Sequence, residues 1–171
     1  MTWNVQGAGS VSFLAMLKEI IRVNKPQVLA LVETRISGET AQRVCDHINY
    51  GGKTKVDVEG FSGSIWLFWK PEEVSVVPII HHNQHITVEI SRMGEIPWYF
   101  SAVYASPNSV KKEELWRSLE DFARTHNRPW LAMSNFNDTR FTHERNGNSD
   151  EMLQNWNREV FGNIFERKKS L

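Results

Sequence analysis

Five polar residues stand at the ends of apolar runs: Asn4 in TWNVQG, Glu33 in LALVETR, Tyr104 in AVYASPN, and Asn135 with Asn137 in WLAMSNFND. A carboxylate supplies oxygen ligands and charge, an amide supplies an acceptor and two donors, and a phenol supplies a hydroxyl. Such groups do chemistry when a rigid scaffold brings them to one rim of a sheet, where a ligand can sit. The richest concentration is PWLAMSNFNDTRFTHERNG, an apolar strand that opens into a loop crowded with Asn, Asp, Arg and His. Singly, each residue is equally well read as an ordinary turn or capping group.

The elements that must position them follow from periodicity. Residues 1–6 read as a short strand leaving through QGAGS, whose glycines allow a sharp exit. Val11, Leu14, Leu17, Ile20 and Ile21 recur at three- and four-residue steps and predict a helix over 10–24, closed by Pro26. QVLALVE (27–33) reads as a buried strand with a carboxylate at its end, and 38–49 as a helix with Ala41, Val44, Cys45 and Ile48 on one face. From residue 54 the runs TKVDVE, GSIWLFW, EVSVVPII, QHITVEIS and PWYFSAVYAS are strands bounded by turn residues. In HITVEI the alternation of Ile86, Val88 and Ile90 with polar residues predicts one face turned to water. A helix over 110–125, begun by Asn108 or Ser109, buries Leu115, Trp116, Leu119 and Phe122. The strand 129–135, the loop to Ser149 and a helix over 150–170 complete the order, the last with Asp150 and Glu151 in its first turn and basic residues in its final one.

Composition sets the outer bounds. At 171 residues, 40% apolar and 11% aromatic, the chain is an ordinary globular one. Lys plus Arg equals Asp plus Glu at 20 each, so attraction to a polyanion must come from local patches and not from net charge. The single Cys45 excludes an internal disulfide and reads as a small core residue. No apolar run approaches the ~20 residues of a spanning helix, and no basic residues precede the first one as in a secretory signal. The expectation is an intracellular protein without a membrane segment, the nucleus included as a location.

Taken in order, WNVQG, LVETRIS, GFSGSIWLFW, AVYASP followed by LW, and PWLAMSNFNDTRF with ERNG resemble the endonuclease/exonuclease/phosphatase family, most closely the endonuclease domain of plant LINE-type (non-LTR) retrotransposons. The resemblance implies an α/β (α+β) fold, a partial four-layer αββα sandwich over residues 1–148, followed by a C-terminal amphipathic helix over 149–171. It implies a divalent-metal-dependent phosphodiesterase acting on DNA. Glu33 would ligate Mg²⁺, Asn4 would contact the metal or the phosphate, Tyr104 would support the phosphate and Asn137 would orient the attacking group. A hard cation prefers carboxylate oxygen and water and neutralises charge building on a phosphate under attack.

Two departures from the family pattern bear on activity. Asn135 stands where the family carries an aspartate that activates or positions water, and an amide keeps the shape but accepts no proton near neutral pH. A general base is worth ~10²–10⁴-fold, so this change alone would make turnover hard to detect, and with the second departure it implies an inactive or severely impaired enzyme. Asp138 is three positions on and would have to swing round to replace it. The chain also runs from ERNGNSDEM into LQNWNREVFGNIFERKKSL, which resembles the helical segment beyond the nuclease domain, so the late strands and their terminal Ser-Asp-His motif are expected to be missing. The front is short as well, with Met1 and Thr2 alone before the Trp-Asn pair.

The alternative is a non-catalytic interaction module or a marginally folded remnant, for which uncovered sheet edges predict self-association. Other features divide the same way. His81, His82 and His85 read as strand-turn residues or as a transition-metal site. The seven tryptophans, Trp66, Trp69, Trp116, Trp130 and Trp156 among them, read as core packing or as a stacking platform for bases. The basic end ERKKSL reads as a solvated helix terminus or a phosphate contact.

Overall fold

Short apolar runs between turn residues become strands, and their alternation decides which sheet faces meet. The computed structural model describes residues 1–57 and 64–135, in two units: Met1–Ala105 with the strand beyond Arg128, and Ser106–Asn127. In the first unit, β1 (Thr2–Asn4), β2 (Val28–Val32), β3 (Gly52–Val56) and β4 (Ile65–Trp69) form a sheet in the order β1-β2-β4-β3. The strands β5 (Ser75–His82), β6 (His85–Ser91), β7 (Trp98–Tyr104) and β8 (Trp130–Asn135) form a second sheet in that order. Two pairings are parallel, β1 with β2 and β7 with β8, and the others are antiparallel.

The sheets face one another across Ala30, Val32, Ile65 and Leu67 on one side and Ile86, Val88, Ile90, Phe100 and Ala102 on the other. Each Val, Leu, Ile or Phe among them taken from water stabilises by about 1.5–3 kcal/mol. The outer face of the first sheet, Leu29, Leu31, Trp66 and Phe68, is covered by α1 (Val11–Asn24) and α2 (Gly38–Asp46) through Phe13, Leu17, Ala41 and Cys45. Burial pushes the Cys45 thiol up to about 11, against a smaller opposing pull from Lys55 and Lys53. It is a core residue, as its setting on a helix implied. The α1 stripe is corrected in one respect: Val11 is exposed, and Phe13 with Leu17 forms the buried seam. Lys25 then ends α1 in a left-handed conformation, its N–H reaching the Ile21 carbonyl, before Pro26.

Among the boundaries that differ from the sequence expectation, three do so for clear local reasons. The first strand stops at Asn4 because Gln6 (φ 50°) and Gly7 (φ 111°) turn the chain. The third begins at Gly52, earlier than expected, because the Trp69 ring lies against its backbone: a Cβ on Gly52 would stand 2.1 Å from Trp69 Cε2. Helix α2 ends at Asp46, after which His47 and Ile48 donate to Val44 and Cys45 in a tightened last turn that still buries Ile48.

The water-facing side expected for β6 survives only toward the strand's end, where Glu89 is partly exposed. His85 and Thr87 are fully buried, as is Ser101 on β7. They are stable there because they satisfy one another: His85 Nδ1 lies 3.1 Å from Thr87 Oγ1, Thr87 Oγ1 lies 2.7 Å from Ser101 Oγ, and Trp130 Nε1 donates to Ser101 Oγ at 2.8 Å. Alternation alone reads this face as wet because it cannot see a polar network closing on itself.

The second unit contains α3 (Ser109–Thr125). The Asn108 side chain caps it, accepting from the N–H groups of Val110 and Lys111, and Leu115, Trp116, Leu119 and Phe122 are buried as its periodicity implied. The polar loop after Asn135, with Asn137 and Asp138, and the helix expected over 149–171 with Trp156 lie outside the described residues.

Candidate active site

Strand direction locates the site. Val28, Trp98 and Leu131, at or near the starts of β2, β7 and β8, line one cleft together with Met1, which precedes β1. Since these four strands begin at one end of the sandwich, their ends, Asn4, Glu33, Tyr104 and Asn135, come to the other. Register tightens the arrangement: Asn4 pairs with Val32, one residue before Glu33, and Tyr104 pairs with Asn135. Four of the five sequence candidates therefore share one rim, two on each sheet.

Glu33 is held in an unusual way. It is 5% exposed, excluding the solvated strand-end reading, and its backbone is left-handed at φ 62°, as is that of Arg35 at φ 56°. Non-glycine residues persist there when neighbours over-determine the geometry. Here Gly7 N–H donates to the Glu33 carbonyl at 2.9 Å and Ala8 N–H to the Thr34 carbonyl at 2.7 Å. The Thr34 and Ser64 hydroxyls are hydrogen-bonded to each other, and Ser64 Oγ also reaches the Ile36 carbonyl at 3.4 Å. The loop is thereby sewn to both the QGAGS turn and the start of β4. The Glu33 carboxylate accepts from Arg35 Nη2 in an ion pair.

Asn4 Oδ1 accepts a 3.3 Å hydrogen bond from Gln6 N, so its turn role is realised. Tyr104 is buried at the edge of the inter-sheet core and takes its backbone bond from the β5–β6 turn, Tyr104 N–H to the Gln84 carbonyl at 2.9 Å. That turn brings the His82–His85 segment to the same rim. The two rings stack at 5.0 Å, and burial, then the His82 charge, pull the His85 imidazole down to about 3. A neutral, hydrogen-bonded imidazole is a packing group, and among the described residues no three His, Cys, Asp or Glu side chains gather as a metal site.

The donor set nevertheless suits one kind of ion. Glu33 and Asn4 offer hard oxygens, and Mg²⁺ is commonly bound by one or two carboxylates with retained waters and substrate phosphates. A second carboxylate, Asp57, follows β3 at this rim but lies two strands from Glu33, roughly 10 Å by strand spacing, and pairs with Lys55 at 3.0 Å. Sequence reasoning missed Arg35, although it stands in the LVETR run, and Asn83, whose Oδ1 is buried with no hydrogen-bond partner among the described residues. The tryptophans divide toward packing: Trp66 is fully buried and Trp116 nearly so.

No protein-family model and no curated protein matches the sequence. Solved structures do match in fold. The endonuclease domain of TRAS1, a telomere-specific non-LTR retrotransposon, superposes with a TM-score of 0.67 at 13% identity, over 93% of this chain and 68% of that one. A humanized TDP2 from D. rerio gives 0.57 at 12% identity over 81% and 66%. ANGEL2, a 2',3'-cyclic phosphatase, gives 0.52 at 14% identity over 75% and 44%. The chain thus spans about half to two thirds of their lengths, and its two mixed sheets with flanking helices have the endonuclease/exonuclease/phosphatase-type α/β fold.

Proposed function

We propose that this chain derives from a divalent-metal-dependent phosphodiesterase that nicks DNA, and that its present sequence is inactive or severely impaired. The observation that carries the reading is the rim itself: a sequestered carboxylate, Glu33, shares it with Asn4, Tyr104 and a β8 strand end occupied by Asn135. Glu33 and Asn4 would hold the cation, Mg²⁺ by resemblance, which would neutralise charge on the phosphate. Asn137 keeps the role that the resemblance gives it. Asn135 has no proton acceptor for water, so proton removal from the nucleophile goes unassisted. A TDP2 structure contains a single-strand DNA product, and the TRAS1 domain belongs to a non-LTR retrotransposon. The first favours DNA as the substrate, the second a LINE-type origin. A nuclear location follows from that substrate.

The test is nicking of supercoiled plasmid by the purified chain with Mg²⁺, beside Glu33→Ala and Asn135→Asp. The parent should show no metal-dependent nicking, and Asn135→Asp should raise any trace of it. Nicking by the parent that vanishes in Glu33→Ala would overturn the claim of lost activity.

A second reading, an interaction module, draws on β1 and β8, which are edge strands among the described residues, with Met1, Leu131 and Met133 exposed beside them. It predicts self-association that grows with concentration in sedimentation velocity. A monodisperse monomer would count against it.

A further inference from the structure

The ion pair between Glu33 and Arg35 bears on how the site meets a metal. A carboxylate on a side chain only 7% exposed needs a partner, and the Arg35 guanidinium supplies it. The two ends of the pair differ sharply: the Arg35 side chain is 61% exposed, so it can leave the carboxylate for water at little desolvation cost, whereas Glu33 cannot follow. The loop fixes this asymmetry. Hydrogen bonds from Gly7 and Ala8 and the Thr34–Ser64 pair clamp residues 33 and 34, while the arginine stem passes over the glycine turn, a Cβ on Gly7 standing 4.0 Å from Arg35 Cδ. Arginine carries its charge at every working pH and has no lone pair to offer a metal. While it occupies Glu33 Oε1, a divalent ion meets both a partly blocked ligand and a like charge.

We propose that Arg35 is a built-in cation of this rim, which holds the Glu33 carboxylate in the absence of a divalent ion, must be displaced for one to bind, and so sets how much metal the site demands. This rests on the reading of Glu33 as a cation ligand.

The experiment is calorimetric titration of the full chain with Mn²⁺, for the parent, Arg35→Ala, Arg35→Lys and Glu33→Gln. Arg35→Ala should bind Mn²⁺ roughly 2- to 5-fold more tightly than the parent, the upper part of the range expected for removing a partly exposed pair. Arg35→Lys should remain near the parent, and Glu33→Gln should lose binding. Arg35→Ala binding no more tightly, with Glu33→Gln still deficient, would overturn the role of Arg35 alone. Undiminished binding by Glu33→Gln would overturn the ligand reading and this inference together. Thermal melting provides a second readout. Without metal, Arg35→Ala should melt below the parent, and saturating Mn²⁺ should close or reverse that gap. A gap indifferent to Mn²⁺ would also overturn the proposal.

Discussion

At the end of the sandwich where β1, β2, β7 and β8 begin, a cleft of about 210 Å³ is lined by Val28, Trp98, Phe100, Leu131 and Met133, and the chain start is tied in by Met1 N–H donating to the Val28 carbonyl at 2.8 Å. At the end where the same strands stop, the residues are Asn4, Glu33, Tyr104 and Asn135, and Gln6, Glu33 and Arg35 all have left-handed backbones. One rim rests on apolar side chains removed from water, Phe100 among them, with Leu131 and Met133 left exposed over it. The other is held by hydrogen bonds and turns at a conformational cost. The contrast teaches where to look for function: strain and sequestered charge collect at one end of an otherwise regular scaffold, and such features commonly gather where a ligand is handled.

Substitution can break the contrast, most strongly at the apolar end. Phe100→Ala should cost about 3–5 kcal/mol in urea denaturation, because Phe100 is buried in the inter-sheet core and lines the cleft. Tyr104→Phe, its counterpart at the polar rim, should cost less than ~1 kcal/mol, since the ring stays in the core and a single hydroxyl is removed. A loss as large as that of Phe100→Ala would mean that the Tyr104 hydroxyl holds the polar rim as firmly as packing holds the other.

Next in size is a pH effect from the buried histidine. The folded-state value for His85, about 3, lies below its ordinary 6.5, so the native protein resists a proton that the unfolded chain accepts. The stability this confers is fully present above pH 6.5 and is lost as pH falls toward 3, by about 1.4 kcal/mol per unit at most. Melting in steps from pH 7.5 to 5 should show the slope, and His85→Gln should flatten it. A slope unchanged in that variant would assign it to other groups.

Much of this was legible in the sequence, and the failures have physical causes. Strands such as GSIWLFW and PWYFSAVYAS could be read because their apolar runs end at turn residues, and α3 because Asn108 precedes a clear stripe. The rim candidates Asn4, Glu33, Tyr104 and Asn135 could be read because strand ends converge when strands run the same way. The buried face of β6 could not, since His85, Thr87 and Ser101 are polar in type yet bonded across strands that are distant in sequence. Nor could Arg35, because its meeting with Glu33 depends on two left-handed residues in succession around Thr34. The early start at Gly52 depends on where the Trp69 ring falls. Asn137 lies outside the described residues.

The smallest effect gives the sharpest test of whether the strain at the polar rim serves the site. Lys25 adopts a left-handed conformation at φ 44° merely to end α1. Lys25→Gly should therefore stabilise by about 0.5–1 kcal/mol, the relieved backbone strain outweighing the greater freedom of glycine in the unfolded chain. Glu33→Gly relieves a similar strain at φ 62° but also removes the partner of Arg35, so its net gain in urea denaturation should be near zero. If both substitutions stabilise alike, the Glu33 pair contributes nothing to folding and its loop is an ordinary turn. If Lys25→Gly alone stabilises, the loop keeps its strain because the carboxylate it presents is offset by a cation, and a divalent ion taking the place of Arg35 would inherit a ligand already set in position.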